Sequence, residues 1–184
     1  MSTLLLQGCI STPERVNFTQ PNSENNAITV PEFTSSKLSK EGVAITALFP
    51  EKQYKNFPSK LVFIIENNRN SIIDINPKDQ VLIQSNINLH TYFGDEAKSI
   101  LTAFANSAFG KDCKVDPART MHNYQPPQGW NAPLKAVEVA SGQSITGYVL
   151  VDPATEQLTQ LNIKFVIDGE TFNFELDKQV KSES

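Results

Sequence analysis

Large apolar residues and polar residues alternate along much of the chain between residues 43 and 176. In the segment 161–167 every odd-numbered residue is apolar, whereas Asn162 and Lys164 are polar, and the segment 172–176 repeats this pattern. Successive side chains of a β-strand point to opposite faces, so the alternation predicts strands with one dry face. Eight segments have strand character: 43–49, 60–66, 80–84, 87–93, 134–139, 144–151, 160–167 and 171–176.

Three details refine the predicted sheets. The run Leu61–Ile65 is apolar on both faces, which is typical of a central strand. Asp168-Gly169 stands between the last two strands, and this dipeptide tolerates the positive φ angles of a two-residue hairpin turn. Many short strands separated by turn signals predict a mainly β chain, folded as a β-sandwich of about eight strands.

In the segment 87–93 the alternation places Ile87, Leu89, Thr91 and Phe93 inward and Asn88, His90 and Tyr92 outward.

One amphipathic helix interrupts the strands over residues 95–109. Asp95 is suited to cap its first turn, and Gly110 stands where a left-handed C-terminal residue belongs. We interpret the apolar stripe as a surface that seals one end of the sandwich. A helix that lies on a membrane or binds a partner is the alternative, but such a helix favours several basic residues and only Lys98 is available. The stripe consists of Ala97, Ile100, Leu101, Phe104, Ala105 and Ala108.

Residues 110–133 form a long irregular segment that contains four prolines and the chain's single tryptophan, Trp130. Structureless segments of this length are uncommon unless they are functional or disordered. Because aromatic residues are favoured in binding hot spots, we predict that Tyr124 and Trp130 contact a partner. The alternative is that Trp130 packs this segment back onto the domain.

The N-terminal residues 1–9 are similar to the end of a bacterial lipoprotein signal peptide. Leu6, Gly8 and Cys9 match the lipobox, in which a small residue precedes the cleaved bond and the cysteine thiol carries a diacylglycerol. Gln7 departs from the commoner residues of the motif. A complete signal peptide also requires basic residues at its start, and no Lys or Arg precedes Arg15. The resemblance implies lipidation of Cys9, and the alternative is an unmodified terminus that contains a cysteine.

The composition divides the rest of the chain into three parts. Residues 10–41 are rich in Ser, Asn, Thr and Pro, and they predict a flexible tether because they bury too little apolar surface to offset their ordering entropy. A short apolar patch at residues 27–30 is the one place in the tether where an edge strand is expected. Residues 42–178 form the predicted β-sandwich domain, and residues 179–184 form a disordered tail.

Charge and residue counts exclude several classes of function. With 16 basic and 20 acidic residues, the net charge of −4 disfavours binding to nucleic acid. The histidines His90 and His122 occur without the spacing of a catalytic or metal-binding motif. A copper site built from these histidines with Met121 and Cys113, or a reactive Cys113 thiolate flanked by lysines, is the weaker alternative. We therefore predict no enzyme activity, no metal and no cofactor.

The stretch 139–153 supports a family resemblance. It combines a turn at Gly142, a Gly147-Tyr148 pair that opens a strand, and an acidic turn at Asp152-Pro153. In this pattern the chain resembles a group of secreted bacterial immunoglobulin-like domains, similar to the mycobacterial immunoprotective extracellular protein. The likeness covers about the final 45 residues, and the helix and the proline-rich segment depart from it. The resemblance implies an immunoglobulin-like sandwich that acts in recognition at the cell envelope, and it carries over no catalytic residue.

Together these features predict a lipid-anchored cell-envelope module that recognises a protein or a surface polymer through its loops. Ile10 follows Cys9, and the absence of an Asp at this position favours the outer membrane, facing the periplasm or the exterior. One alternative is a scaffold subunit of an envelope secretion or assembly machine. A hydrolase or metal carrier that uses Cys113, Met121 and His122 is the other.

Overall fold

The computed structural model describes residues 14–15, 18–19, 33–50, 52–53, 58–109, 131–153 and 157–178. This part of the chain is mainly β, with two helices. The elements are β1 (Glu14–Arg15), β2 (Phe18–Thr19), β3 (Phe33–Lys40), β4 (Val43–Pro50), β5 (Lys52–Gln53), β6 (Ser59–Asn67), β7 (Ile73–Ile75), α1 (Pro77–Gln80), β8 (Val81–Ser85), β9 (His90–Tyr92), α2 (Gly94–Phe109), β10 (Val137–Val139), β11 (Ser144–Asp152), β12 (Gln160–Ile167) and β13 (Glu170–Lys178).

Two antiparallel sheets form the body of the molecule, an arrangement consistent with a β-sandwich. The five-stranded sheet has the order β3-β4-β6-β11-β9, and the four-stranded sheet has the order β2-β13-β12-β8. The main apolar core lies between them, where the rings of Phe63 and Phe165 meet edge to face with their centroids 5.4 Å apart. Two further pairs, β1–β5 and β7–β10, are also antiparallel.

Most predicted strands and faces are confirmed. All eight segments contain strands, and β6 is the middle strand of the five-stranded sheet, as its two apolar faces predict. The odd-numbered residues of the segment 161–167 are buried, and so are Phe172, Phe174 and Leu176. Asp168 and Gly169 have φ angles of 50° and 83°, which confirms the predicted hairpin turn between β12 and β13.

The first strand of the five-stranded sheet corrects the predicted tether. The composition assigned residues 10–41 to a tether, but residues 33–40 form β3 and pair with β4 along their whole length. Within the same range, β1 pairs with β5 and β2 pairs with β13. An edge strand gains main-chain hydrogen bonds on one side and leaves part of its surface in water, so a serine-rich and lysine-rich sequence is compatible with it. Leu38 of β3 packs against the main core. The patch at residues 27–30, where an edge strand was expected, lies outside the described residues.

The position of the helix also differs from the prediction. α2 has nearly the predicted bounds, but Ala97, Ile100 and Leu101 of its stripe pack on the outer face of the five-stranded sheet and not on an end of the sandwich. Tyr92 lies on the outward face, as the alternation predicts, and there it contacts the same outer cluster. The outer face of this sheet carries apolar residues of its own, which the strand alternation alone does not distinguish from a solvated face. Gly110, the predicted end of the helix, lies outside the described residues.

Several turns are joined at one end of the two sheets. Arg69 donates from Nε to the carbonyl oxygen of Glu41 in the β3–β4 turn and forms an ion pair with Asp168 in the β12–β13 turn, each at 2.7 Å. The buried amide of Asn67 donates to the carbonyl oxygen of Val139 at 2.8 Å. These contacts link turns of both main sheets, so hydrogen bonds and an ion pair stabilise this end of the fold in addition to the apolar core.

Candidate functional site

A second apolar cluster lies on the outer face of the five-stranded sheet. It consists of residues from β4, β6 and β11 together with Ala97 of α2, and all of its members are buried. Ile100 and Leu101 of α2 pack against it, so the first half of the helix covers this part of the sheet. The strand residues of the cluster are Leu48, Val62, Tyr148 and Leu150.

The chain returns to the five-stranded sheet, beside β11, directly after residue 130. Leu134 N donates to the carbonyl oxygen of Tyr148 at 2.8 Å, and Tyr148 N donates to the carbonyl oxygen of Ala132 at 3.0 Å. Gly147 makes this approach sterically accessible, because a Cβ atom at this position would lie 2.8 Å from the Cα of Leu134. The segment 131–135 therefore lies beside β11 and is joined to it by an isolated parallel β-bridge between Pro133 and Tyr148.

The start of α2 and the segment 131–135 are joined to each other. Gly94 N donates to the carbonyl oxygen of Leu134 at 3.2 Å, and the Lys135 ammonium lies 2.6 Å from the Asp95 carboxylate. The hydrogen bond and the positive charge of Lys135 hold the pKa of Asp95 below its ordinary value. An acidic group in the first turn is also favourable beside the positive end of the helix dipole.

A basic and an aromatic side chain complete this region. Lys60 Nζ lies 4.8 Å from the centroid of the Tyr148 ring and 3.4 Å from the side-chain oxygen of Asn131. Burial raises the pKa of the Tyr148 hydroxyl, so the ring remains neutral at physiological pH and presents its face to a cation.

We call these residues the loop base: Lys60, Gly94, Asp95, Asn131–Lys135, Gly147 and Tyr148. The segment 110–130 lies between α2, whose first half contacts the outer face of the five-stranded sheet, and residues 131–135, which pair with β11 and place Leu134 in the main core. The proline-rich segment thus connects two elements that are joined to each other and to β11. α2 meets residues 134–135 at its start, and its last residue, Phe109, lies about 22 Å farther along the helix axis. The segment is therefore flanked by a helix and by a paired stretch of backbone, and rigid elements of this kind commonly carry binding loops.

The predicted site residues fall largely outside this description. Cys9, Tyr124 and Trp130, together with the weaker candidates Cys113, Met121 and His122, lie outside the described residues. His90 is exposed at the start of β9, away from the interior. The described chain resumes at Asn131, directly after the predicted binding segment in the sequence, and the lipidation and contact residues stay predictions.

The described residues were also searched for metal-binding groups and membrane-spanning helices. Within the described ranges, no three His, Cys, Asp or Glu side chains come together as a metal site requires. Neither α1 nor α2 combines the length and hydrophobicity of a membrane-spanning helix, and this finding applies to the described part of the chain.

Sequence reasoning missed most of the loop base. Gly147 was noted as the start of a strand, yet it lies within β11 and its role is to admit the backbone of Leu134. A glycine inside an apolar strand was the available signal, since it often marks a close approach of another backbone. Lys60 and Lys135 gave no local signal, because their partners are distant in the sequence.

No protein-family model, curated protein or solved structure matches this chain in comparisons with known proteins.

Proposed function

We propose that this chain is a lipid-anchored module of the cell envelope that binds a protein or a surface polymer and catalyses no reaction. The loop base is the observation that carries the proposal. Tyr124 and Trp130 belong to a segment that follows α2, which packs on the outer face of the five-stranded sheet, and that precedes residues 131–135, which pair with β11. A loop with anchored ends loses less conformational entropy on binding than a loop with free ends, so it is suited to recognition.

The fold supports the same proposal at a finer level. We assign the two main sheets to an immunoglobulin-like sandwich of about eight principal strands, in which loops rather than the core carry recognition. The hairpin at Asp168-Gly169 and the antiparallel order of both sheets support this assignment. The additional helix α2 distinguishes the domain from a sandwich made of strands alone.

The lipid anchor is the second part of the proposal. Its support is the lipobox-like sequence at Leu6, Gly8 and Cys9, with Ile10 favouring the outer membrane. Because β1 begins at Glu14 and β2 pairs with β13, the proposed tether is shorter than the composition indicated. The segment 10–13 then separates the proposed anchor from the first paired strand.

Intact-mass spectrometry of the native protein, extracted from membranes with mild detergent, tests the anchor. The expected mass corresponds to a chain that begins at Cys9 and carries a diacylglycerol. A mass that includes Met1 and no lipid contradicts the anchor and leaves the binding proposal to be tested on a soluble chain. The co-purifying proteins also separate a free binding module from a stable scaffold subunit.

Cross-linking in intact cells tests the binding proposal. We expect Trp130→Ala and Tyr124→Ala to reduce the yield of one specific cross-linked partner, or the retention of the protein on isolated envelope polymer, without lowering the melting temperature. Ile72→Ala is the matched control, because Ile72 is an exposed apolar residue, at 59% exposure, outside the proposed binding segment. If both aromatic variants bind normally and only their melting temperatures fall, the segment packs on the domain and the proposal is wrong.

A further inference from the structure

The two main sheets share two ends, and these ends differ in the strands that they carry. At one end, which we call the Arg69 end, Arg69 joins the β3–β4 turn to the β12–β13 turn. Lys40, the last residue of β3, also donates to the carbonyl oxygen of Thr171 there. Because β4 and β13 both begin at these turns, their last residues lie together at the opposite end. We call this opposite end the β1 end.

The first two strands of the chain both pair at the β1 end. β1 pairs with β5, which begins two residues after Pro50, the last residue of β4. β2 pairs with Asp177 and Lys178, with which β13 ends. The chain therefore enters the sandwich at the β1 end, on the side from which the proposed lipid anchor at Cys9 is reached.

The proposed anchor is too close to β1 for the domain to turn over. Five residue steps separate Cys9 from Glu14, so even a fully extended chain spans no more than about 18 Å between them. β4 alone has eight residues and extends over about 26 Å from the Arg69 end to the β1 end. In an inverted molecule Glu14 would thus lie at least about 26 Å from the membrane, which is beyond the reach of the segment 10–13.

The residues nearest the proposed anchor suit a surface of anionic headgroups. In the register of the β1–β5 pair, Arg15 stands opposite Lys52 and Glu14 stands opposite Gln53. The pair thus carries two basic residues and one acidic residue. Basic residues close to a membrane are attracted by anionic lipids, so the net charge of this pair favours contact with them.

From these positions we propose that the β1 end is a membrane-contact surface, which meets anionic lipid headgroups while the Arg69 end points away from the membrane. The inference rests on the proposed lipid anchor and adds the orientation of the domain to it. Asn131, which follows the predicted binding segment, contacts Lys60, the second residue of β6. Because β6 begins at the β1 end, that segment returns to the domain on the half nearer the membrane.

Methyl NMR of the lipidated full-length chain, in nanodiscs that contain phosphatidylglycerol, tests this orientation. A small fraction of the lipids carries gadolinium at the headgroup, and the relaxation that it adds falls with the sixth power of distance. Leu161 and Ile167 are the matched probes, because both are buried in β12 and about 20 Å of strand separates them. We expect the added relaxation to be at least about tenfold larger at Leu161, near the β1 end, than at Ile167, near the Arg69 end. Equal values, or a larger value at Ile167, overturn the proposal.

Two controls separate this result from the proposed anchor. Intact-mass spectrometry of the same sample shows whether Cys9 carries lipid. An unlipidated native chain contradicts both the anchor and the orientation, whereas a lipidated chain with equal relaxation at the two probes contradicts the orientation alone. Cys9→Ser removes the acylated thiol, and its two probes should show equal and small added relaxation. A difference in Cys9→Ser as large as in the lipidated chain would show that the anchor does not set the orientation, which overturns the inference.

Discussion

The two lateral sides of the paired sheets are closed in different ways. On the side of β3, the Lys40 ammonium reaches across to the other sheet, where it donates to the carbonyl oxygen of Thr171 at 2.5 Å and lies 5.8 Å from the ring centroid of Phe172. On the side of β8 and β9, the chain itself crosses between the sheets through residues 86–89. There Ile87 and Leu89 remain only partly buried.

The two lateral sides of one fold are thus closed by different means, one by a charged side chain and the other by a crossing of the main chain. A lysine on an edge strand covers apolar surface with its aliphatic stem and keeps its charge in water, so it both packs and discourages strand addition. The connection 86–89 closes the other side with backbone and apolar side chains and adds no charge. Asn86 stabilises it by accepting hydrogen bonds from the backbone N–H groups of Thr159 and Gln160.

The largest expected effect distinguishes the two sides directly. Phe172→Ala, on the side of β3, should lower the free energy of unfolding by about 3–5 kcal/mol, because it removes a fully buried aromatic ring from the main core. Leu82→Ala, on the side of β8, should change the stability of the monomer by no more than about 0.5 kcal/mol, because Leu82 is half exposed. Urea unfolding at low protein concentration measures both. Equal losses would mean that Leu82 belongs to the core and that the two sides do not differ as described.

An intermediate effect is expected at the loop base. Gly147→Ala should cost about 1–3 kcal/mol, since the new methyl group would lie 2.8 Å from the Cα of Leu134 and the segment must shift. Amide hydrogen exchange at Leu134, whose N–H donates to Tyr148, should become faster. Thr146→Ala changes the preceding residue of β11 without adding volume and is the control. Unchanged exchange at Leu134 in Gly147→Ala would show that the close approach is not required.

The smallest expected effect concerns pH at the start of α2. Lys135 lowers the pKa of Asp95 in the folded state, so this pair contributes stability above the unfolded pKa of about 3.9 and loses it as pH falls through the lower folded pKa. Lys135→Ala should return the pKa of Asp95 toward its ordinary value in a carboxyl NMR titration. Lys98→Ala should produce a smaller rise, because the charge of Lys98 has a weaker influence on Asp95. A larger rise in Lys98→Ala would contradict the assigned ion pair.

The strands were predictable because each is specified by neighbouring residues. Apolar alternation identified the inward residues of β12 and β13, and Asp168-Gly169 identified the turn between them. β7 was missed because three residues are too few for a periodic signal, and β3 was missed because its polar sequence lacks a clear dry face. The position of α2 was not predictable from its own sequence. It depends on the outer face of the five-stranded sheet being apolar, and this property belongs to the strands and not to the helix.

The candidate site was predictable only in part. The unusual composition of residues 110–133 marked the segment, and the glycine inside β11 was visible as a motif. The contacts that anchor the flanks of this segment join Lys60 to Asn131 and Asp95 to Lys135, which are 71 and 40 residues apart in the sequence. Local patterns carry no information about such pairs, since each depends on the strand order of the sheet.

By itself the amino-acid sequence determined the strand-rich character of this protein, the central position of β6 and the amphipathic helix, because these follow from side-chain periodicity within a few residues. The tertiary structure alone decided that β3 joins the five-stranded sheet and that α2 covers the outer face of this sheet. It also decided that Lys40 reaches the four-stranded sheet and closes one lateral side. These outcomes depend on which surfaces meet after the chain folds back on itself. Burial and long-range hydrogen bonding are properties of that packing and not of any single segment.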